Sequence, residues 1–282
     1  MSGTATILFM YDIARLDEKM LLEELGKRAR VEAIHTSTAY LPLGEPPLQA
    51  DLAVVRGVSG RRLLYGALAV ESWGLEAINS SQAIAASQDK AWTHMLLTRR
   101  GVPTPRSISV LDPAALPKAA STLGFPAVYK PARGSWGKLV SLLRDEGEAS
   151  LLAGALDYVQ GDLKLGLVQE YVEKPGRDIR SFCIDDTVPA AIYRYASSLT
   201  TNMAAGGKAA PAPVTGELED LTLKACEAVG VEVGGVDVVE SPDRGLLVLE
   251  VNPSTEFKNT VKVTGVNVAA LIAEHAVSRA RR

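Results

Sequence analysis

Two carboxylates and an amide occur at strand spacing in the last sixth of the chain. Asp237 lies inside the apolar run Gly-Val-Asp-Val-Val, and Glu250 and Asn252 lie inside Val-Leu-Glu-Val-Asn. Residues 241–245 between the runs read as a turn, so we expect a hairpin with Asp237 opposite residue 249 or 250. Because side chains alternate along a strand, Glu250 and Asn252 share one face. Mg²⁺ prefers oxygen ligands and usually keeps water and phosphate oxygens, so the pattern predicts a cradle for a metal-bound nucleotide.

The alternative for the same residues is that Asp237 and Glu250 are ordinary solvated strand residues. Each of them is flanked by Val or Leu, which indicates a half-buried carboxylate. A carboxylate in such a place needs a partner, because burial without one is costly. This favours the metal site over the solvated strand.

A second group of polar residues follows a short apolar strand. Lys130 ends the strand expected at 127–131, and the loop 132–138 reads Ala-Arg-Gly-Ser-Trp-Gly-Lys. Glycines let backbone N–H groups wrap around phosphate oxygens, and a lysine on a strand supplies a fixed positive charge. Most loops of this kind are only turns, so the acidic hairpin is what favours phosphate binding here. Lys90 is a further candidate, although a single lysine on a helix is more often solvated.

Residues 168–180 combine a strand end with charged side chains, in the order Val-Gln-Glu-Tyr-Val-Glu-Lys-Pro-Gly-Arg-Asp-Ile-Arg. Such a segment can present backbone donors and acceptors to an adenine edge and an acidic side chain to ribose hydroxyls. The alternative is a strand that leads into a Pro-Gly turn, with Arg177 and Arg180 facing water. The residues alone leave both interpretations open.

Other kinds of catalytic site find no support. His35, His94 and His275 lack partners at the spacing of a metal site or a catalytic triad, and no Gly-x-Ser-x-Gly elbow is present. The chain also lacks the glycine fingerprints of dinucleotide-binding and Walker-type proteins. Cys183 and Cys226 are too few for a zinc site or a disulfide framework, and they indicate free thiols in a reducing interior.

Composition narrows the remaining classes. The 282 residues, of which 47% are hydrophobic and 22% charged, fit a soluble globular protein of one large domain or two to three small ones. A formal charge of −3 offers no attraction for nucleic acid or an anionic membrane. The apolar run 7–11 is too short for a signal peptide, and no stretch approaches the length of a membrane span. We therefore expect a cytoplasmic protein with neither kind of partner.

An alternating α/β region and a mixed α+β module must position these side chains. Strands and helices alternate through about residue 80, which is typical of a parallel sheet. An extended linker is expected at Val102–Pro105, and the stretch 203–213, rich in Ala, Gly and Pro, suits a mobile loop over a site. The expected strands are 5–10, 31–35, 51–55, 76–79, 127–131, 138–143, 165–172, 179–184, 188–195, 234–240 and 246–252, and the expected helices are 17–30, 61–73, 81–100, 113–122, 147–159, 217–229 and one from 267.

Taken in order, the motifs resemble those of the ATP-grasp superfamily. They are Asp89-Lys90, the Lys130 strand with its glycine loop, Gln169-Glu170-Tyr171-Val172, Asp237 and Glu250-Val251-Asn252. The finer motifs Gly134-Ser135-Trp136-Gly137, 169–180 and Glu256-Phe257-Lys258-Asn259 resemble the RimK-like branch, and within it the α-aminoadipate–LysW ligase family. The resemblance spans nearly the whole chain. It implies an ATP-grasp fold, of the α+β and α/β classes, with an N-terminal α/β (Rossmann-like) domain at 1–88, a central subdomain at 89–164 and a C-terminal subdomain at 165–282.

The resemblance also implies ATP and Mg²⁺ as cofactors and a role for each matching residue. The implied nucleotide contacts are Lys90, Lys130, Arg133, Gly134, Ser135, Trp136, Gly137, Lys138, Gln169, Glu170, Tyr171, Val172, Arg177, Asp178, Arg180 and Asn202. The implied Mg²⁺ ligands are Asp237, Glu250 and Asn252, and the implied catalytic residues are Lys130 and Arg194. The implied amino-acid pocket contains Arg194, which would pair with a substrate carboxylate, and Ser254, Thr255, Glu256, Phe257, Lys258, Asn259 and Thr260.

The partner and the reaction are implied in the same way. In that family ATP phosphorylates the side-chain carboxylate of the C-terminal glutamate of LysW, an acidic carrier protein, and the amino group of α-aminoadipate then displaces the phosphate. An acidic partner implies a basic mouth, for which the candidates are Arg133, Lys138, Arg177 and Lys208. A homodimer or homotetramer is the expected assembly.

The choice of amino acid depends on two residues. Asn259-Thr260 follows Glu-Phe-Lys, which favours α-aminoadipate, whereas the sister family, the glutamate–LysW ligases (ArgX), typically has Gly-Phe there. One methylene separates the two amino acids, and a pocket can exploit it for only about 1–3 kcal/mol. A glutamate ligase, a bifunctional enzyme and a non-catalytic nucleotide-binding regulator therefore stay open as alternatives.

Overall fold

A four-stranded parallel sheet forms the N-terminal part of the chain. The computed structural model describes residues 4–134, 137, 139–159, 161–195 and 208–282. Strands β1 (Thr6–Tyr11), β2 (Arg30–His35), β3 (Leu52–Val55) and β4 (Ala77–Ile78) pair in the order β2-β1-β3-β4, and helices α1 (Leu16–Gly26) and α2 (Gly60–Ser72) connect them. Every pair is parallel, which confirms the predicted α/β region.

Two helices occupy the span 81–100, where the sequence predicts one. Helix α3 runs from Ser81 to Ser87 and helix α4 from Lys90 to Arg99. Asp89 breaks the span because its backbone is extended and its carboxylate accepts a hydrogen bond, at 3.0 Å, from the N–H of Trp92. An aspartate in this position is a strong N-cap, so the second helix starts at Lys90 and fixes the place of that lysine.

The central sheet contains one strand that the sequence analysis did not identify. Strands β5 (Ser107–Val110), β6 (Ala127–Pro131), β7 (Ser141–Leu143) and β8 (Gly166–Glu170) pair in the order β5-β8-β6-β7. Strand β5 begins only after Pro105, and the prolines before it suggested nothing but a linker. Strand β8 lies beyond the expected boundary at 164/165, yet it pairs with β5 and β6 of the central sheet. Helices α5 (Leu116–Leu123) and α6 (Glu146–Leu156) cover this sheet.

The C-terminal sheet has five antiparallel strands in the order β11-β10-β9-β12-β13. They are β9 (Arg177–Ile184), β10 (Ala191–Tyr195), β11 (Lys208–Ala212), β12 (Val233–Ser241) and β13 (Gly245–Asn252), and helix α7 (Gly216–Val229) packs on one face. Strand β11 corrects the expectation of a loop at 203–213 for residues 208–212, since they pair with β10. Residues 203–207 lie outside the described residues.

Two terminal helices join the C-terminal sheet to the N-terminal one. Helix α8 (Lys258–Thr264) was not predicted, and helix α9 (Val268–Ala280) begins where the sequence indicates. Side chains of β1, β3, α1 and α9 share one hydrophobic core with Phe182 and Ile184 of β9, while Cys183 faces the other core, beneath α7. The two sheets are therefore packed as one body. In the part of the chain that the structure describes, none of the helices has the length and apolar composition of a membrane span.

Candidate active site

The hairpin of β12 and β13 brings the predicted metal ligands together. Asp237 pairs with Glu250 and Gly235 with Asn252, so the predicted register, with Asp237 opposite residue 249 or 250, is confirmed at 250. A bulge follows, because Val238 pairs with Val248 and leaves Leu249 as the extra residue on β13. A bulge bends a hairpin and redirects side chains, and it leaves a backbone group outside the ladder.

His94 supplies the partner for that backbone group. Its Nε2 lies 3.2 Å from the carbonyl oxygen of Leu249, and its Nδ1 lies 2.8 Å from the hydroxyl of Thr104. Burial, together with the positive charge of Lys130, lowers the pKa of His94 to about 4. The ring is therefore neutral near pH 7, and it supports the hairpin from α4. The same Nε2 lies 3.3 Å from the side-chain nitrogen of Gln169. The sequence analysis found no use for this histidine, because nothing in its spacing from Thr104, Gln169 and Leu249 marks them as partners.

Asp237 is bound by two arginines. Arg180 of β9 donates two hydrogen bonds to its two carboxylate oxygens, at 2.7 and 2.8 Å. Arg194 of β10 lies 3.0 Å from Oδ2 and also donates to Asp178 at 2.7 Å. Burial opposes the charged form of Asp237, but the two guanidinium groups outweigh it and lower its pKa to about 2. The carboxylate is therefore ionised at neutral pH, as a metal ligand must be.

Glu250 faces the start of helix α4. Lys90 Nζ lies 3.5 Å from its Oε1 and donates to the carbonyl oxygen of Gly134 at 2.8 Å. The backbone N–H of Lys90 donates to the carbonyl oxygen of Ala132, also at 2.8 Å. One lysine thus contacts both the acidic hairpin and the glycine-containing loop. The alternative of a lysine exposed on a helix does not describe this environment.

Lys130 lies beneath the same loop. Its ammonium donates to Oε1 of Gln169 at 2.7 Å, and the Gln169 amide donates in turn to the hydroxyl of Ser107 at 3.1 Å. Burial lowers the pKa of Lys130 to about 8; the charge of Lys90 adds to this shift and that of Glu250 opposes it. A lysine with this pKa is mostly charged at pH 7, and a nearby polyphosphate would favour its charged form further.

The residues at the hairpin fit a magnesium ion with an incomplete set of protein ligands. Asp237 and Glu250 supply carboxylate oxygens, and Asn252 supplies a side-chain amide oxygen from the same hairpin. The buried Nδ2 of Asn252 has no hydrogen-bond partner among the described residues, and this donor suits a phosphate oxygen rather than the metal ion. The described chain contains no cluster of three or more His, Cys, Asp or Glu side chains suited to a metal. Two carboxylates and an amide would leave other positions of an octahedral ion to water and phosphate oxygens, which is the usual situation for Mg²⁺.

The site carries a surplus of positive charge among its described side chains. Five cations, Lys90, Lys130, Lys174, Arg180 and Arg194, accompany three carboxylates, Asp178, Asp237 and Glu250. Lys174 belongs to this group because the charges of Asp178, Arg194 and Asp237 all act on it. A buried surplus of this sign favours a polyanionic ligand.

Other residues expected at the nucleotide are bound elsewhere. The side chain of Glu170, which alternates with Gln169 along β8, accepts hydrogen bonds from Arg106, at 2.7 Å, and from Arg244. Arg177 pairs with Glu240 at 2.7 and 2.9 Å and lies over the ring of Tyr193. These ion pairs attach the tip of the hairpin and strand β9 to their neighbours. Tyr171 is exposed and Val172 half-buried.

The loop after β6 is described only in part. Gly134 and Gly137 have φ values of 148° and 69°, which glycine adopts more readily than other residues. Arg133 lies 3.9 Å from Asp89, and Lys208 is exposed at the start of β11. The expected site residues Ser135, Trp136, Lys138 and Asn202 lie outside the described residues.

The expected amino-acid pocket, 254–260, lies against the N-terminal domain. Phe257 is wholly buried in the core shared with α9, and Thr255 and Thr260 are buried as well. Ser254 accepts a hydrogen bond from the N–H of Gly57 at 3.2 Å, and Glu256 pairs with Arg15 at 2.7 Å. Asn259 is half-buried, and Lys258 pairs with Glu256 at 3.2 Å. Arg15 and the loop after β3 were not identified from the sequence, because nothing in their spacing marks them.

Comparison with known proteins identifies both halves of the chain. Residues 87–276 match the RimK-like ATP-grasp domain, and residues 7–86 match the LysX preATP-grasp domain. Alpha-aminoadipate--LysW ligase LysX of Sulfolobus acidocaldarius is 35% identical over 265 residues, which cover 92% of this chain and 96% of that protein. Glutamate--LysW ligase ArgX of Sulfurisphaera tokodaii is 34% identical over 273 residues, which cover 95% of this chain and 97% of that protein.

Solved structures share the fold. A RimK domain ATP-grasp protein from Sphaerobacter thermophilus matches with a TM-score of 0.79 and 21% identity, over 96% of this chain and 99% of that one. The ATP-grasp ligase PsnB, in complex with a phosphomimetic variant of its minimal precursor, Mg and ADP, matches with a TM-score of 0.75 and 20% identity, over 99% of this chain and 100% of that one. At identities of 20–21%, the similarity to these structures shows that the chain shares their fold and carries no statement about its substrate.

Proposed function

The chain belongs to the RimK-like ATP-grasp family and is an ATP-dependent ligase, and we propose that it joins α-aminoadipate to the carrier protein LysW. The bond would form between the amino group of α-aminoadipate and the side-chain carboxylate of the C-terminal glutamate of LysW. The observation that carries the proposal is the pairing of Asp237 with Glu250 opposite Lys90 and Lys130. The proposed metal ligands and the proposed phosphate-binding lysines lie together there, in a cluster of side chains with more positive than negative charges.

The first half of the reaction needs a polyphosphate and a carboxylate at one place. Members of the family use ATP and Mg²⁺, and a bound magnesium ion would offset the charge of the phosphates, with Asp237, Glu250 and Asn252 as its proposed ligands. Lys90 and Lys130 would donate to phosphate oxygens, and the glycine-containing loop would cover them. The carrier carboxylate would attack the γ-phosphorus, releasing ADP and giving an acyl phosphate.

The second half needs the amine to reach the acyl carbon while water is excluded. We propose that Arg194, which is buried beside Asp237, and Arg180, which is half-buried there, donate to the carboxylate and to the oxygen that becomes negative during attack. The amine would displace phosphate, and the amide nitrogen would lose one proton. The segment Ser254–Thr260 is proposed to form the amino-acid pocket, with the accessible side chains of Ser254, Glu256, Lys258 and Asn259 as its lining and the buried Thr255, Phe257 and Thr260 as its support.

Glutamate is the second candidate amino acid because the similarity to both ligase families is nearly equal. The identities are 35% to a LysX and 34% to an ArgX, over similar lengths. Asn259-Thr260 favours α-aminoadipate. A bifunctional ligase would accept both.

The experiment that tests the proposal is an assay by intact mass. Purified protein is mixed with ATP, Mg²⁺ and LysW, and with α-aminoadipate or glutamate in separate reactions. We expect the carrier to gain the mass of α-aminoadipate less one water, and LysW without its C-terminal glutamate to gain none. A gain with glutamate alone would assign the chain to arginine rather than lysine biosynthesis. Nucleotide binding without any mass gain would indicate the non-catalytic regulator instead.

Cellular context and assembly belong to the same proposal. Both cysteines are free and buried, which suits a reducing cytoplasm. The expected partners are LysW and the amino acid, with neither nucleic acid nor membrane, and the expected assembly is a homodimer or homotetramer. The expected basic mouth for LysW consists of Arg133, Lys138, Arg177 and Lys208; of these, Arg177 pairs with Glu240 and Arg133 lies 3.9 Å from Asp89.

A further inference from the structure

The N-terminal sheet opens a crevice toward the expected amino-acid pocket. Strand β1 lies between β2 and β3, so the chain leaves β1 toward one side of the sheet and returns on the other. A crevice forms where two such connections diverge at the carboxyl ends of parallel strands. Here the diverging loops are 12–15, after β1, and 56–59, after β3. Both loops face residues 254–258 of the C-terminal domain.

Each residue from 254 to 258 forms a hydrogen bond with one of these two loops or with helix α1. The N–H of Gly57 donates to Ser254, Arg56 donates to the carbonyl oxygen of Thr255 at 2.9 Å, and Arg15 donates to Glu256. Asp17 of α1 accepts from the next two backbone N–H groups, at 2.5 Å from Phe257 and at 2.8 Å from Lys258. The N-terminal domain thus binds five consecutive residues, through the backbone at Thr255, Phe257 and Lys258 and through the side chain at Ser254 and Glu256.

Asp17 replaces a cap that helix α8 lacks. The first N–H groups of a helix have no partner within it, and a side chain at the N-cap usually supplies one. The N-cap residue of α8 is Phe257, which makes no side-chain capping bond. The carboxylate of Asp17 takes this role from another domain. The start of α8, and with it Lys258 and Asn259, therefore depends on the position of α1.

The contact between these N-terminal elements and residues 254–258, which we call the seam, contains buried charged side chains. Asp17 and Glu18 are almost wholly inaccessible, and so is Arg56, whose guanidinium lies 3.4 Å from Glu18 and 5.3 Å from the centre of the Phe257 ring. Burial lowers the pKa of Arg56, which shows how strongly the seam disfavours charge. Well-packed apolar side chains in place of such groups often leave a protein equally or more stable. The presence of these charges is therefore weak evidence for stability, and the bonds that they form constrain the geometry of residues 254–258.

Residues 254–258, which these groups hold, are in direct contact with the hairpin of β12 and β13. The hydroxyl of Thr255 donates to the carbonyl oxygen of Asn252 at 3.0 Å. A Cβ atom at Gly235, the cross-strand partner of Asn252, would lie 2.6 Å from that same hydroxyl oxygen. The fit leaves no room for the loop to slide over the hairpin. A shift of residues 254–258 would displace the expected amino-acid pocket relative to the phosphates.

We propose that Asp17 is a positioning residue through which the N-terminal domain sets the affinity of the ligase for its amino acid. Asp17 acts by fixing the backbone at Phe257 and Lys258, and Arg15 acts by holding the side chain of Glu256. The inference rests on the proposed function, because it takes residues 254–260 as the segment that forms the amino-acid pocket. Asp17 bonds to Phe257 and Lys258 and not to the proposed nucleotide ligands, so we expect the affinity for ATP to change far less than the affinity for the amino acid.

The test compares Asp17→Ala, which removes the acceptor, with Asp17→Asn, which retains an oxygen for both N–H groups. Misplacement of a pocket by a fraction of an ångström is costly, so Asp17→Ala should raise the KM for the amino acid by about tenfold and leave the KM for ATP within about twofold. Asp17→Asn should restore most of the loss. Hydrogen exchange at the amides of Phe257 and Lys258 should accelerate in Asp17→Ala only.

Asp145→Ala is the matched control. Asp145 caps helix α6 by accepting from the N–H of Glu148 at 2.8 Å, in a different domain. Its loss should lower the thermal stability and leave the KM for the amino acid unchanged. Arg15→Gln, a milder change at a partly exposed side chain, should raise the same KM by a few fold and keeps the test decisive if Asp17→Ala fails to fold.

The possible results separate this inference from the proposed function. A wild-type protein that modifies LysW, together with Asp17→Ala and Arg15→Gln variants of unchanged KM for the amino acid, would overturn the positioning role alone. Equal increases of the KM values for ATP and for the amino acid would also overturn it, because they would indicate a general loss of structure. A wild-type protein that modifies no carrier would overturn the proposed function and this inference with it.

Discussion

Asp237 and Glu250 face each other across the hairpin of β12 and β13, yet they bond to opposite sides of the site. Asp237 is bound by the arginines of β9 and β10, whereas Glu250 lies beside Lys90 at the start of α4. The bulge after Asp237 marks the place where the hairpin changes register. The two carboxylates therefore connect the arginines that we propose for the substrate to the lysines that we propose for the phosphates.

Removal of either hairpin carboxylate should abolish ligation while the fold persists. In Asp237→Asn and Glu250→Gln we expect the rate of LysW modification to fall by about 100-fold or more, because each removes a charge that the transition state needs. The rate is measured by intact mass at saturating ATP. Asp243→Asn, an exposed position in the turn of the same hairpin, is the control and should retain the wild-type rate. A hairpin variant with near-normal activity would refute the assignment of the metal ligands.

Nucleotide affinity should fall as the pH rises through the pKa of Lys130. Burial lowers this pKa to about 8, so the ammonium is charged at pH 7 and largely neutral at pH 9. Only the charged form attracts phosphate, and we expect the Kd for ATP to rise by about tenfold between pH 7 and 9. The Kd is measured by calorimetry at fixed ionic strength. Lys130→Arg, which stays charged throughout, should flatten the profile, and an equally steep profile in this variant would assign the effect to another group.

His94 should make the fold sensitive to mild acid. Its pKa is about 4 in the folded protein and near 6.5 in an unfolded chain, so the unfolded state binds the proton first as the pH falls. Stability is therefore lost progressively below pH 6.5, by up to about 3 kcal/mol at pH 4. Urea unfolding of His94→Gln at pH 7 and 4.5 should show a smaller loss than the wild type. His35→Gln, at a position on β2 away from the hairpin, serves as the control.

Phe257 should behave as a core residue in stability measurements. Its side chain is wholly buried among residues of α9 and β9, so Phe257→Ala should lower the free energy of unfolding by about 3–5 kcal/mol. Phe257→Leu should cost less, because it keeps more of the buried volume. Urea denaturation gives both values. A loss below 1 kcal/mol for Phe257→Ala would mean that the ring is not packed as the core requires.

Local patterns were sufficient to predict the elements that carry the chemistry. Apolar runs with a polar turn between them gave the hairpin and its register at Asp237, and the run before Lys130 gave β6 at its observed limits. These features depend only on alternation and turn composition over about ten residues. The identification of α9 from Asn267 rests on the same kind of signal, since that residue caps the helix.

Features that depend on distant partners could not be predicted from the residues. Strand β11 contains Pro211 and three alanines, a composition typical of a loop, and it is a strand only because β10 lies beside it. Glu170 is expected at the nucleotide, and the structure shows its carboxylate bound by Arg106 and Arg244, which lie far from it in the chain. Phe257 is expected in a pocket because of its motif, and the core around its ring includes residues of β1, α1, β3, β9 and α9. No local rule contains this information.

The cations of the site already bond to oxygens of the protein itself: Lys90 to Gly134, Lys130 to Gln169, and Arg180 and Arg194 to Asp237. Each ammonium has three N–H donors and each guanidinium has five, so these bonds use only part of the donor capacity of the site. An incoming polyphosphate adds bonds to side chains that the protein already holds in place. These side chains lose little rotational freedom when the ligand binds, which lowers the entropic cost of association.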